Sequence, residues 1–224
     1  MTVQQVCWSL IAASVVASFG TECALGQNAP PDRWEKAIAA FEARDKTDPP
    51  PKHALLFVGS SSIRGWDLGV SFPDRMTINR GFGGSEISDS IRYADRIIIP
   101  YQPRVVVVYA GDNDIAKGKD AKTVFKDYRT FTRTIHESLP KARIVFVAIK
   151  PSIKRWGLVE EMRKANRMIR EATTKDARLE FVDVDTPMIG DDGQPRKELF
   201  KADGLHLNKQ GYELWAKLVR PHLK

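Results

Sequence analysis

Apolar positions along this chain fall into two patterns. Five short runs are nearly continuous in apolar or β-branched character: "ALLFVG" (54–59), "MTINRG" (76–81), "VVVVYAG" (105–111), "RIVFVAI" (143–149) and "LEFVDV" (179–184). Runs of this kind suit parallel strands covered on both faces. Between them lie amphipathic stretches of helical period at 86–98, 122–138 and 156–174, with a last helix over about 208–219. Five strands alternating with helices predict an α/β fold, a three-layer α/β/α sandwich around a five-stranded parallel sheet.

The first fifty or so residues follow neither pattern. Residues 6–21, "VCWSLIAASVVASFGT", are uncharged and apolar or small, but too few to span a bilayer comfortably. Ala24 and Gly26 stand at the −3 and −1 positions of a cut before Gln27, so residues 1–26 read as a signal peptide. That predicts an exported protein, periplasmic or secreted, with no stable membrane insertion after cleavage. No Lys or Arg precedes the apolar run, and an uncleaved anchor is the competing reading. "QNAPPDRW" and "TDPPPKH" then bracket a helix from about Asp32 to Asp45. Residues 27–53 therefore read as an N-terminal helix and proline-rich lead-in to a domain at 54–224.

Composition narrows the chemistry. The 224 residues suit one large α/β domain. Both cysteines, Cys7 and Cys23, lie in the segment expected to be removed, which excludes disulfides, thiolate metal sites and a cysteine nucleophile from the remainder. The formal charge is +7, yet Lys and Arg are spread over nearly every helix, many beside acids. That is a solvated surface. With no interleaved basic and aromatic patch, no nucleic-acid partner is expected.

In parallel sheets the functional loops collect at the carboxyl ends of the strands. Here three strand ends read "GSSS", "GFGGS" and "GDND", and a late loop reads "DGLH". "GFGGSE" lacks the last glycine of a dinucleotide fingerprint, no P-loop occurs, and "GSSSI" is not a G-x-S-x-G elbow. No histidine pair has metal-ligand spacing, so neither a metal nor a cofactor is expected. His53, His136 and His222 read as surface residues. His206 differs, with Asp203 three residues before it just ahead of the last helix. There a carboxylate can accept the imidazole Nδ1–H and leave Nε2 free to take a proton from a hydroxyl. A loop in which Asp203 merely bonds backbone amides is the competing reading.

Together the four loops, in order as "GSSS", "NRGFGG", "GDND" and "DGLH", resemble the SGNH (GDSL-type) hydrolase family from Leu55 to about Pro221. The resemblance implies a flavodoxin-like SGNH hydrolase fold and an esterase. It implies Ser61 as nucleophile, His206 as base and Asp203 as its orienting acid. It also implies an oxyanion hole from the backbone N–H of Ser61, the backbone N–H of Gly84 and the side-chain amide of Asn113. Ser60 stands where the family usually has Asp. The residue types suit that chemistry: a serine hydroxyl needs a base, and donors must already face the oxygen that gains charge. Asp114 is expected to tie its loop together, and Ser60 and Ser62 to shape the turn and cap the helix after it.

Trp66, Phe82 and Trp156 fall in or near these loops and are candidate substrate contacts, with loop anchoring as the alternative. The expected partner is a small-molecule or carbohydrate ester, with short acyl groups favoured over long-chain lipid. A lysophospholipase-like or platelet-activating-factor-acetylhydrolase-like enzyme is an alternative reading. A non-catalytic carbohydrate-binding domain and a basic surface-adhesion protein are alternatives from other classes.

Overall fold

The structure, a computed structural model, describes Met1 and residues 32–224. Past its first residue, the expected signal segment lies outside the described residues. The chain divides into a unit Met1–Asp32 and a unit Arg33–Lys224, and the fold is that of the second. In chain order its principal elements are α1 (Glu35–Thr47), β1 (Leu55–Gly59), α2 (Ser61–Arg64), α3 (Leu68–Ser71) and β2 (Thr77–Gly81). Next come α4 (Ile87–Arg92), α5 (Ala94–Ile97), β3 (Val105–Tyr109), α6 (Asp112–Ala116) and α7 (Ala121–Ser138). The series ends with β4 (Arg143–Val147), α8 (Val159–Thr173), β5 (Leu179–Val182) and α9 (Lys209–Val219).

All the strand pairs are parallel, in the order β2-β1-β3-β4-β5. This is the flavodoxin-like order, and the chain switches direction across the sheet between β1 and β3. Gly59 at the end of β1 registers with Gly81 on one side and Tyr109 on the other. The three glycine-punctuated loops therefore leave the sheet side by side.

The continuous apolar runs are explained by a core on each face. Leu56, Val58, Val106, Val108, Ile144 and Phe146 pack with α1, α4, α5, α7 and α8. Their neighbours Leu55, Phe57, Val105, Val107, Val145 and Val147 point the other way, onto Trp66, Phe72, Trp215 and Val219. Successive side chains of a strand alternate faces, so a strand buried on both faces needs apolar residues throughout.

Two expected boundaries shift. The N-terminal helix is part of the domain instead of a lead-in to it. Ile38 of α1 is fully buried in the core, and the Asp45 carboxylate takes a two-pronged bond from the buried Arg80 guanidinium at 2.6 and 2.7 Å. Arg96 similarly reaches back from α5 to Glu35 and Glu42. The expected helix over 86–98 is two short helices, broken at Tyr93, whose backbone sits at φ −102°, ψ 8°. The Tyr93 ring is buried edge-on against Phe82 there. Among the described residues, no helix is long and apolar enough to cross a membrane.

Candidate active site

The β1 strand ends on Gly59 at φ +134°, where a Cβ would lie 1.9 Å from the carbonyl oxygen of Tyr109. Only glycine fits so close an approach with a positive φ. The chain then turns sharply: Ser60 N–H donates to Tyr109 O at 3.0 Å, and Ser61 opens α2. A first-turn N–H has no partner within its own helix. Among the described residues, the N–H of Ser61 donates to no protein acceptor. The Asn79 side chain steadies the loop by donating to Ile63 O at 2.8 Å and Trp66 O at 3.1 Å.

The loop before α9 brings His206 to this serine. Its Nε2 lies 3.1 Å from Ser61 Oγ across 145 residues of sequence. On the far side of the ring, Nδ1 donates to Asp203 Oδ2 at 2.6 Å, while Asp203 Oδ1 accepts the backbone N–H groups of Leu205 and His206, each at 2.9 Å. The ring bond and those amides hold the Asp203 carboxyl well below the usual carboxylate range. With the ring proton on Nδ1, Nε2 of the neutral ring is an acceptor for the serine hydroxyl.

The other two loops supply donors. Gly84, at φ +79°, has an N–H that donates to no protein acceptor among the described residues. A Cβ there would come within 3.1 Å of Arg33 Nη2 and 3.4 Å of Trp34 Cη2, so the chain just before α1 packs on this loop. Asn113, in the first turn of α6, is nearly buried; its Nδ2 donates to Ser85 O at 2.9 Å and its Oδ1 accepts from Arg155 Nη2 at 2.9 Å. An amide nitrogen carries two hydrogens, so one N–H of Asn113 is left over.

Asp114 serves structure, as the sequence suggested. Its buried carboxylate accepts Ile87 N–H at 3.2 Å and Lys119 Nζ at 3.1 Å, tying α6 to α4. Burial pushes its pKa to about 6 against the pull of Lys119 and the amide. A second buried group is Lys150, 1% exposed, with Nζ 3.9 Å from Asp112 Oδ2. Burial lowers the Lys150 pKa.

Two expected substrate contacts are corrected. Trp66 is buried among Phe57, Phe72, Tyr212 and Trp215, and its Nε1–H is used by Ser71 Oγ at 2.8 Å. Phe82 is buried between Trp34 and Tyr93. Both fill core space, as the anchoring alternative has it. Trp156 is half-buried, next to Arg155 and beneath the Arg163 guanidinium at 5.6 Å. The serine expectations also change: Ser60 holds the N-cap position of α2, but its Oγ makes no cap bond and is buried without a partner. Ser62 contributes its carbonyl, which accepts the Tyr212 hydroxyl at 2.9 Å.

Sequence reasoning missed Arg155 and Lys150. The only signal was "RIVFVAIK", in which a lysine directly continues a buried strand run. The other histidines are engaged locally where they are not exposed: His136 with Ala142 O at 3.1 Å and His222 with Glu180 at 2.5 Å.

The family model described as GDSL-like Lipase/Acylhydrolase matches residues 57–214. Among solved structures, a Streptococcus pneumoniae protein provisionally named a platelet activating factor is similar at TM-score 0.75 and 22% identity, over 84% of this chain and 92% of that one. A GDSL-like lipase from Bacteroides thetaiotaomicron is similar at TM-score 0.70 and 20% identity, over 83% and 96% of the two chains. A variant of an acetyl-xylooligosaccharide esterase from Geobacillus stearothermophilus is similar at TM-score 0.59 and 17% identity, over 76% and 94%. No curated protein matches the chain. At such identities the solved structures share the fold, while the family match spans most of the domain. The chain belongs to the GDSL-like lipase/acylhydrolase family.

Proposed function

We propose that this protein is an exported serine esterase that removes short acyl groups, acetyl groups on carbohydrate among them, through an acyl-enzyme on Ser61. The observation that carries the reading is the chain of contacts from Ser61 Oγ to His206 Nε2 at 3.1 Å and from His206 Nδ1 to Asp203 at 2.6 Å. A non-catalytic binder has no use for a base held against a hydroxyl.

In the proposed reaction, Ser61 Oγ attacks the ester carbonyl carbon while its proton moves to His206 Nε2. Charge develops on the former carbonyl oxygen, for which the Ser61 N–H, the Gly84 N–H and the spare Asn113 N–H are the proposed donors. Collapse breaks the bond to the alcohol, which leaves with the proton from Nε2. Water then repeats the sequence on the acyl-enzyme, giving up a proton to His206 and releasing the acid and the free serine.

The preference for short acyl groups rests on the open surroundings of the site and on the acetyl-xylooligosaccharide esterase among the similar structures. Asp203 lines an open cavity of about 650 Å3 together with Ile153, Phe200, Ala202, Lys154, Lys197 and Lys201. An open space lined in part by lysines suits a hydrated sugar ring better than a long apolar chain left in contact with water. A p-nitrophenyl ester series from acetate to decanoate, run beside acetylated xylo-oligosaccharides, tests the reading. The expected result is kcat/KM falling with chain length and release of acetate from the oligosaccharide. Rising kcat/KM with chain length moves the assignment to lipid esters, and absence of turnover on every ester removes it. Amino-terminal sequencing of protein from the native host tests export, with Gln27 expected near the start.

A further inference from the structure

Asn113 is an amide whose two ends have almost the same shape but opposite chemistry. Turned by half a rotation, it would offer a carbonyl oxygen where a donor is required. Two neighbours decide its orientation. Ser85 O can only accept, so it takes an N–H, at 2.9 Å; Arg155 can only donate, so it takes the Asn113 oxygen, also at 2.9 Å.

Arg155 is itself held. Its Nη1 donates to Asp112 Oδ2 at 2.8 Å, so one guanidinium fork spans two consecutive residues, Asp112 and Asn113. The Asp112 carboxylate is nearly buried and has the buried Lys150 3.9 Å away on the same oxygen. The segment carrying Arg155 is also fastened to the base loop, where Lys154 N–H donates to Gly204 O at 3.0 Å, between Asp203 and His206. Arg155 thus belongs to a strap that touches both the donor and the base sides of the site. Its side chain is 18% exposed, so its bonds are only lightly screened by solvent.

We infer that Arg155 is a positioning residue for the esterase reaction: acting through Asn113, it fixes which end of that amide meets the reacting oxygen and strengthens its N–H as a donor. The inference rests on Asn113 serving as an oxyanion donor in the proposed function. A cation bonded to the amide oxygen draws electron density from the nitrogen, and the remaining N–H binds a negative oxygen more strongly. Because the gain appears as charge develops, it belongs to kcat more than to KM.

The test is steady-state turnover of p-nitrophenyl acetate by the full chain and by Asn113→Ala, Arg155→Ala, Arg155→Lys and the Arg155→Ala/Asn113→Ala double variant. Asn113→Ala should lose about 10²–10³ in kcat. Arg155→Ala should lose about 10–100-fold in kcat with KM within about threefold, and Arg155→Lys should recover part of that loss. The double variant should lie within about twofold of Asn113→Ala, since Arg155 has nothing to act through once the amide is gone. Multiplying losses overturn the inference, as does a rise in KM at constant kcat, which makes the guanidinium a direct substrate contact. Wild-type kinetics in Arg155→Ala also overturn it. If Arg155→Ala does not accumulate folded, Arg155→Lys with and without Asn113→Ala makes the same comparison. Full activity in Ser61→Ala or Asn113→Ala would instead defeat the proposed function beneath it.

Discussion

Asp203 holds His206 at two points, accepting the ring Nδ1–H on Oδ2 at 2.6 Å and the residue's own backbone N–H on Oδ1 at 2.9 Å. Oδ1 also accepts Leu205 N–H at 2.9 Å. This arrangement dictates the result of Asp203→Asn. The amide oxygen of asparagine must stay with the two backbone donors, which leaves its NH2 facing Nδ1. The ring then carries its proton on Nε2 and can no longer accept from Ser61. A loss of about 10³–10⁴ in kcat is expected, with thermal unfolding little changed. A loss below tenfold would mean that another acceptor orients the ring. Since the Asp203 carboxyl is held so low, it stays ionised through ordinary assay conditions.

The three serines should separate cleanly. Ser61→Ala removes the proposed nucleophile and should lose nearly all turnover. Ser60→Ala deletes a buried hydroxyl that makes no hydrogen bond, so stability should change by less than about 1 kcal/mol and kcat by only a few-fold. Ser62→Ala keeps the carbonyl that receives the Tyr212 hydroxyl, and should likewise stay within a few-fold. Labelling with an aryl phosphonate checks the assignment. A covalent adduct on Ser61→Ala, or its loss in Ser60→Ala, would move the nucleophile.

The sheet and the chemical loops were legible because each rests on local pattern. Double-sided burial forces unbroken apolar runs such as 105–109, and strand-end turns force glycine beside polar residues. What depends on distant partners was not legible. Trp66 looks the same in sequence whether it lines a cleft or, as here, sits in a cluster with Trp215 from α9. Arg155 meets Asn113 across 42 residues, and one more arginine in a basic chain carries no mark of that contact. The period of 86–98 is helical throughout and carries no mark of the break at Tyr93, where the buried ring packs on Phe82.

Asp45 should prove essential to the docking of α1. Arg80 has a side chain only 4% exposed and relies on this carboxylate for its charge partner. Asp45→Ala leaves a buried cation with the Tyr101 hydroxyl and the Asn79 carbonyl as its remaining hydrogen-bond partners, over the Phe41 and Tyr101 rings. Removing one member of such a pair costs about 3–5 kcal/mol. Urea denaturation should show a lower midpoint, while kcat measured below the transition stays near wild type. An unchanged midpoint would mean that Ile38 packing and the Arg96 bonds to Glu35 and Glu42 hold α1 without it.

The buried Asp114 should make stability depend on pH in the direction opposite to most carboxylates. Burial raises its folded pKa to about 6, above the unfolded value near 3.8. Between those values the native protein binds the proton more tightly than the unfolded chain does. The contribution of that proton is therefore fully present below about pH 4 and is lost as pH rises through about 6. Asp114→Asn has no such proton but keeps an oxygen for Ile87 N–H, and Lys119 retains Asp127 at 2.7 Å and Glu86 at 2.9 Å. The stability of wild type relative to Asp114→Asn should thus fall as pH rises from 4 to 7.5. A difference of that size between folded and unfolded chain corresponds to at most about 3 kcal/mol. Urea midpoints of both proteins across that range measure it. A constant difference, or one that grows with pH, would show that Lys119 fully offsets the burial and that Asp114 is an ordinary ionised carboxylate in the fold.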